Sequence, residues 1–411
     1  MCGIFAAILG KSATAGQKLA VDVARSVHRG PDRSRLEYAD GANQRLLFGF
    51  HRLAINGLTP DSDQPMQIGR CLLICNGEIY NTNELYKQMG IKQLTGSDCE
   101  IIAHLYMRHG LAKTVDMLEG VFAFVLYDQK TKQLHVARDL LGIRPLFIGS
   151  SEGTGIGGGN GDVTLAFASE AKSLLSLRGV CQFPPGTWWT GDLRTRSGGP
   201  GLEIAKHTSG TFREDVRAAR PVASGTAPNL DRLREVFHKA VRKRLILSER
   251  PVACLLSGGL DSTLVTAVLV REMRRIHGPS ATVNTYSIGM KGSVDLKWAA
   301  VAAKHLRTKH HEICLTEKEF LDAVPDTVWH TESFDTTTIR ASVGNLLVSQ
   351  YIRDHSDDKV KYTNIALLLF IYININIYTS PYMMPNNKTG NFCGGRRGRV
   401  VCILPRFLQG P

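Results

Sequence analysis

The amino-acid sequence predicts two domains of different class. The first is an α+β domain of stacked antiparallel sheets in an αββα arrangement. The second is an α/β domain built on a doubly wound parallel sheet. Three observations carry this. Residues 1–190 hold many short apolar runs bounded by Gly, Asp or Asn, the pattern of antiparallel strands. From residue 229 on, apolar strands alternate with amphipathic helices, the pattern of a parallel sheet. The length, 411 residues, suits two or three domains.

Taken in order, residues 2–9, 46–51, 71–75, 121–127, 134–137 and 165–168 read as strands. Residues 19–27 and 99–109 carry apolar side chains at helical spacing. The Gly-rich stretch 149–162 contains a formal GxGxxG at Gly153, Gly155 and Gly158. A dinucleotide loop needs a helix after it, and a strand follows here, so the stretch reads as a hairpin tip. Residues 191–228, rich in Gly, Ser, Thr, Arg and Pro, read as a linker with some irregular strand. Asn229 then caps a helix running to about residue 247, with Leu233, Val236, Phe237, Ala240 and Val241 on one face. A strand at 252–256, a Gly turn, a helix at 262–274, a strand at 283–288 and a helix at 296–306 follow. The expected boundaries are therefore 2–190, a linker at 191–228, a second domain at 229–361 and a divergent tail at 362–411.

Composition narrows the function classes. With 43% hydrophobic and 21% charged residues, the chain is neither wholly disordered nor fibrous. The net charge is +13, but six Lys/Arg and no acidic residue lie from Lys361 on, leaving +7 over residues 1–360. No clustered basic face marks a nucleic-acid partner. The nine cysteines are scattered, and Cys71 and Cys75 lack the second pair a zinc site needs. Scattered thiols suit a reducing compartment, the cytoplasm. The N-terminus lacks the basic region of a signal peptide. The longest apolar run, residues 365–378, is 14 residues with two Asn, too short and polar to span a membrane.

Cys2 lies directly behind Met1. Removing Met1 would leave an α-amine, with a pKa of about 7.7–8.0, on the carbon bearing a thiol of pKa about 8.5. Amine and thiol then form a compact base–nucleophile pair. Alone, a Cys at position 2 is more often inert. It is accompanied by His28-Arg29-Gly30-Pro31-Asp32, His51-Arg52-Leu53-Ala54-Ile55, Asn76-Gly77-Glu78-Ile79-Tyr80-Asn81 and Gly96-Ser97-Asp98-Cys99-Glu100. Arg138-Asp139-x-x-Gly142-Ile143-Arg144-Pro145-Leu146 and Ala168-Ser169-Glu170-Ala171-Lys172 follow. In this company residues 1 to about 190 resemble the class II glutamine amidotransferases, whose nucleophile is an N-terminal Cys. The Asn76–Asn81 variant resembles asparagine synthetases in particular.

That resemblance implies an N-terminal-nucleophile fold and a set of roles. Cys2 attacks the glutamine side-chain amide. Asn76 and the Gly77 N–H form the oxyanion hole, a contribution of about 2.7–4 kcal/mol per donor. Arg52 clamps the α-carboxylate with its planar fork. Glu78 and Asp98 hold the α-ammonium, and Leu53, Ala54, Ile55 and Asn56 complete the glutamine site. Each has a plainer reading. Arg52 could be a surface cation, Asp98 a helix N-cap, and Asn76-Gly77 a hairpin turn. Arg29, Asp32, Asp139 and Arg144 read as loop braces rather than substrate contacts.

In the second domain, the strand ending at Leu256 leads into Ser257-Gly258-Gly259-Leu260-Asp261-Ser262 and a helix. Such a turn aims backbone N–H groups and the helix dipole at an anion. It lacks the Lys of a P-loop. It resembles the pyrophosphate loop of ATP pyrophosphatase enzymes that adenylate a carboxylate. Ser287-Ile288-Gly289-Met290 and Glu332-x-x-Asp335-x-Thr337-Thr338-Ile339-Arg340 look like the asparagine synthetase continuation. The resemblance implies ATP binding by Leu256, Ser257, Gly258, Gly259, Asp261, Ser262, Ile288 and Gly289, with Asp261 holding Mg²⁺. Thr337, Thr338 and Arg340 border the aspartate and pyrophosphate pocket. His310-His311 reads as structural, since adjacent residues point apart on a strand.

The implied enzyme is a carbon–nitrogen ligase with glutamine as amide donor. A Cys2 thioester releases ammonia, an internal passage carries it, and β-aspartyl-AMP receives it. Glutamine, aspartate and ATP with Mg²⁺ are substrates; no tightly bound cofactor, nucleic acid or membrane is implied, and a homodimer is compatible. Alternatives are a stand-alone glutaminase, a non-catalytic glutamine- or ATP-binding partner of a full-length subunit, and a related amidotransferase that adenylates another carboxylate. Cys2 argues against lactam-forming relatives, and the Ser257–Ser262 loop against phosphoribosyl or sugar-phosphate amidotransferases. The resemblance breaks after Lys361. No Ser-Gly-Glu-Gly-x-Asp-Glu loop occurs in residues 362–411. The Ile/Asn/Tyr bias there reads as translated intron or frameshifted sequence. The expectation is a truncated synthetase half with weak or absent asparagine formation, and an aggregation-prone run at 367–378. The sequon Asn387-Lys388-Thr389 reads as chance.

Overall fold

The computed structural model describes residues 1–9, 13–42, 44–150, 163–194, 205–206, 229–356 and 361–362. The formal GxGxxG at 153–158, most of the expected linker and the tail from residue 363, with its apolar run and sequon, lie outside the described residues. In chain order the N-terminal domain runs β1 (Gly3–Leu9), α1 (Ala13–Ala24), β2 (Arg33–Asp40), β3 (Arg45–Arg52), β4 (Met66–Ile68), β5 (Cys71–Ile79) and α2 (Thr82–Met89). It continues α3 (Ile101–His109), α4 (Leu111–Met117), β6 (Gly120–Asp128), β7 (Gln133–Arg138), β8 (Phe147–Ser150), β9 (Val163–Ala168), β10 (Arg178–Gln182), β11 (Thr187–Asp192) and β12 (Ala205–Lys206).

Two six-stranded antiparallel sheets result, in the orders β10-β8-β9-β1-β3-β2 and β12-β11-β7-β6-β5-β4. Strand periodicity explains the layers. Along β1, Ile4, Ala6 and Ile8 join Leu72 and Ile74 of β5 in the core between the sheets. Phe5, Ala7 and Leu9 point the other way, under Leu19 and Val23 of α1. On β5, Cys71, Leu73 and Cys75 face α3 and its neighbours instead. Both faces of the central strands are buried, so they read as unbroken apolar runs rather than alternating ones. This is the expected αββα stack. The first helix lies at Ala13–Ala24 rather than 19–27, and β5 extends past residue 75 to Ile79. Strand β12 pairs with β11 at Thr187 and Trp188, placing part of the expected linker on the second sheet.

The second domain comprises α5 (Leu230–Ile246), β13 (Val252–Leu255), α6 (Leu260–His277), β14 (Asn284–Met290), α7 (Val294–Leu306), β15 (Lys309–Leu315), α8 (Glu317–Asp322), α9 (Val324–Thr331), α10 (Thr336–His355) and β16 (Lys361–Tyr362). Its strands are parallel, in the order β15-β14-β13-β16. Val241, Leu245, Val265 and Leu269 of α5 and α6 cover one face of the sheet. Val348 and Ile352 of α10 cover the other, against Ala253, Tyr286 and Ile313. The sheet is doubly wound, as expected. Asn229 caps α5, its side chain accepting from Arg232 N at 2.8 Å. The apolar face of α5 is shorter than its spacing suggests. Leu233 and Val236 are exposed, and Val236 lines a cavity of about 690 Å³ between α5 and the N-terminal domain. Among the described residues no helix is long and apolar enough to cross a membrane.

Candidate active site

Cys2 stands at the head of β1, where the two sheets open onto a pocket. Its Sγ receives a hydrogen bond from Leu53 N at 3.4 Å and donates to Leu53 O at 3.6 Å. Burial pushes the thiol up from its ordinary value, against the opposing pull of the neighbouring α-amine. The Met1 side chain is exposed, while its α-amine is drawn inward and burial lowers it to about 5. In this chain it is the Met1 amine, not that of Cys2, that neighbours the thiol.

The pocket around Cys2 is lined by Arg52, Leu53, Ile55, Asn56, Asn76, Gly77, Glu78 and Asp98. Ala54 is not part of that lining; its N–H donates to Asp32 Oδ2 at 2.9 Å and its carbonyl accepts from Arg250. Asn76 and Gly77 sit inside β5, paired with Ala123 and Phe122, so the hairpin-turn reading is wrong. Asn76 Nδ2 is buried without a hydrogen-bond partner. A buried orphan donor is costly, about 1–3 kcal/mol, and therefore calls for an explanation. A Cβ on Gly77 would lie 2.8 Å from Val121 O, so only Gly fits this strand.

Arg52 projects from the end of β3 and is buried rather than a surface cation. Its guanidinium pairs with Asp63 and donates to the carbonyls of Gly57 and Thr59. Asp98 is not a helix cap. Ser97 holds that position, its Oγ accepting from Cys99 N at 3.3 Å. Asp98 is buried and accepts from Ile79 N at 2.7 Å and Asn56 Nδ2 at 3.3 Å. Glu78 pairs with Arg144 at 3.1 Å. Arg144, expected only to brace a loop, lines the pocket. The loop that delivers it is organised by Asp139, whose carboxylate accepts from the N–H groups of Leu141, Ile143 and Arg144. Burial pushes Asp139 up, and those N–H bonds oppose it. Gln64, which carried no sequence signal, also lines the pocket, as do Cys75, weighed above only as a zinc ligand, and Cys99, quoted above only within its motif.

The second candidate site lies at the C-terminal edge of the parallel sheet, where ligands of such folds bind. Leu256 is buried against Ala299 and Ala303, its N–H donating to Tyr286 O at 2.8 Å. Ser257 and Ser262 close the loop, their hydroxyls 2.9 Å apart, and Gly259 N donates to Ser257 Oγ at 3.4 Å. Gly258 has φ +78°, and a Cβ there would lie 2.5 Å from Ala299 N. Asp261 is exposed in the first turn of α6. On β14, Gly289 lies under Leu296 and Ser293, and Ile288 faces Gly344 of α10. Thr337, Thr338 and Arg340 occupy the first turns of α10, where Asp335 caps the helix by accepting from Thr338 N at 2.7 Å. His310 bonds Thr285 and Ser287, and His311 stacks on Tyr286. Among the described residues no cluster of three or more His, Cys, Asp or Glu could hold a metal ion.

The two domains touch directly beside the Cys2 pocket. Gly57 N, beside the Arg52 loop, donates to Glu249 Oε1 at 2.8 Å, and Arg250 Nε donates to Ala54 O at 3.2 Å.

Comparison with known proteins gives matching results for both halves. The glutamine amidotransferase domain family matches residues 1–184, and the asparagine synthase family matches residues 232–359. The chain is 37% identical over 377 residues to the glutamine-hydrolysing asparagine synthetase of Gallus gallus, covering 88% of this chain and 64% of that one. The enzymes of Rattus norvegicus and Homo sapiens are each 36% identical over the same shares. The chain thus spans about 64% of the length of these relatives. A solved NH3-dependent NAD synthetase from Campylobacter jejuni aligns at 16% identity with a TM-score of 0.23, over 31% of this chain and 53% of that one, too slight a likeness to bear on the fold.

Proposed function

We propose, for a chain whose residues 1–184 belong to the glutamine amidotransferase family and whose residues 232–359 belong to the asparagine synthase family, that it hydrolyses glutamine at Cys2 and directs the ammonia to ATP-dependent amidation of aspartate. The observation that carries this reading is the buried, unpartnered Nδ2 of Asn76 in the wall of the Cys2 pocket. A donor left orphaned in the resting protein is explained if it waits for a charge that appears only during reaction. Attack of the Cys2 thiol on the glutamine amide creates such an oxyanion, and Asn76 and the Gly77 N–H stand ready for it. The α-amine released when Met1 is removed takes the thiol proton and returns it to the leaving ammonia. A thioester to Cys2 remains, and water completes its hydrolysis.

Arg52 takes the α-carboxylate of glutamine, and Glu78 with Asp98 takes the α-ammonium. Ile55 and Asn56 shape the remaining wall, and Ala54 acts only through its backbone. In the second domain the Ser257–Ser262 loop receives the phosphates of ATP, which arrives with Mg²⁺ near Asp261. Thr337, Thr338 and Arg340 receive the aspartate carboxylate and the pyrophosphate. Adenylation makes the β-carboxylate reactive, and ammonia displaces AMP. The reading places the chain in the cytoplasm, which its seven described free thiols suit, and is compatible with a homodimer.

The test mixes the purified chain with glutamine, MgATP and aspartate and measures ammonia, AMP and asparagine separately. Ammonia is expected from the wild type and not from Cys2→Ala. Absence of ammonia in the wild type overturns the Cys2 assignment. AMP and asparagine in equal amounts mark the complete reaction and overturn the expectation of weak or absent asparagine formation; ammonia without either reduces the function to that of a glutaminase.

A further inference from the structure

One of the contacts between the two domains continues inward as far as the nucleophile. At the end of α9, Glu332 adopts a left-handed conformation, φ +52°. Its carboxylate crosses to the N-terminal domain and accepts from Ala171 N at 2.9 Å and Lys172 N at 2.6 Å. Lys172 is only 4% exposed. Its Nζ donates to Trp329 O at 3.1 Å and pairs with Glu170 at 3.0 Å. Glu170, 5% exposed, pairs in turn with Arg29 at 3.1 Å. Arg29 Nε donates to the carbonyl oxygen of Cys2 at 3.0 Å. The line is unbroken from the α9–α10 turn to the backbone that carries the thiol.

Its outer end is placed to respond to the second site. Glu332 lies three residues before Asp335, the cap of α10, and the first turns of that helix carry Thr337 and Arg340. Its inner members are charges held away from water. Such groups are stable only in good geometry, so a displaced member moves its partner or leaves a buried charge unpaired. A joint that merely glued the domains together would need none of this; apolar contact would serve.

We propose that Glu332, Lys172, Glu170 and Arg29 form a positioning relay through which occupancy of the nucleotide and carboxylate pocket resets the Cys2 thiol. The proposal rests on the function given above for the two pockets. Filling the pocket moves the α9–α10 turn, Glu332 moves the Ala171–Leu174 turn that begins after Glu170, and Arg29 moves the Cys2 carbonyl. The four residues touch neither glutamine nor ATP.

The experiment follows alkylation of Cys2 in the full chain by iodoacetamide, read on the Cys2 peptide by mass spectrometry, with and without MgATP plus aspartate. MgATP binding is measured in parallel by calorimetry. The wild-type rate is expected to change about fivefold or more on adding both ligands, the size of an ordinary coupling. Glu332→Gln keeps an oxygen that can accept an N–H bond, so its rate without ligands is expected within about twofold of wild type, while the ligand response is lost. Lys172→Arg, which keeps the buried charge, is expected to retain the response. If MgATP binds and the wild-type rate does not change, or if Glu332→Gln responds as the wild type does, the relay is overturned. If MgATP does not bind at all, the reading of the second site fails, a different result from either of these.

Discussion

Arg144 Nη2 donates to Glu78 Oε1 at 3.1 Å in the wall of the pocket that holds the Cys2 thiol. Both residues are buried. Removing one partner of a buried ion pair leaves the other charge uncompensated, at a cost of about 3–5 kcal/mol. Glu78→Gln is therefore expected to destabilise the chain by about 3 kcal/mol in urea unfolding. The double variant Glu78→Gln/Arg144→Met is expected to cost less than the two single variants added together. An additive result would mean that the pair is not coupled. If Glu78 also receives the glutamine α-ammonium, Glu78→Gln raises KM for glutamine more than it lowers kcat.

Asn76→Ala separates catalysis from stability. Losing one oxyanion donor is expected to lower kcat about 10²–10³-fold with little change in KM. Stability is expected to hold or to rise slightly, because the substitution removes a buried donor that has no partner in the resting protein. Steady-state ammonia release and a thermal melt measure the two effects. A large fall in melting temperature would show that the Asn76 amide is structural.

How much of this was legible in the sequence depends on what each residue faces. Strands β1, β5 and β6 read clearly because both their faces are buried, so nearly every residue is apolar. Strand β2 did not, because it is the exposed edge strand and carries Arg33, Arg35 and Glu37. The far end of β5 was hidden for a different reason. Asn76 and Glu78 are polar because they line the pocket, and a polar strand end looks like a loop. The motifs brought Cys2, Arg52, Asn76, Gly77, Glu78 and Asp98 to one pocket, and the structure adds Arg144 to its wall. Its side chain reaches the pocket only because Asp139 folds the intervening loop through backbone bonds, and residue spacing does not reveal those.

Gly258→Ala tests the turn after β13. The φ of +78° disfavours any side chain there, and a Cβ would lie 2.5 Å from the backbone nitrogen of Ala299 in α7. Left-handed strain of about 1–2 kcal/mol adds to an overpacking cost of about 1–3 kcal/mol. The expected outcome is a loss of at least about 2 kcal/mol in stability, with MgATP binding lost, since the loop must move away from α7 to admit the methyl group. Unchanged MgATP affinity in calorimetry would remove this loop from the nucleotide site.

Stability is also expected to fall in acid in two separate steps. His135 is buried between Thr190 and Tyr106, at 2.8 Å from each hydroxyl. Burial lowers it to about 4, against the opposing pull of Asp128. The unfolded chain therefore takes up this proton first, near pH 6.5, and the folded chain only near pH 4. Stability is full above pH 6.5 and declines as the pH falls between those values, by about 3 kcal/mol in total for the 2.5-unit gap. His51, His310, His311 and His330 are also lowered by burial and add slope of the same sign. Glu170 acts lower down. Burial would raise it, but His28, Arg29 and Lys172 bring it to about 2. Its contribution is present above pH 4.5 and is lost as the pH falls towards 2. His135→Gln can keep a hydrogen bond without titrating, so it is expected to reduce the slope between pH 6.5 and 4 by about one proton and leave the lower step unchanged. Urea unfolding at half-unit pH intervals measures both, and an unaltered slope in His135→Gln would show that His135 titrates alike in the folded and unfolded chain.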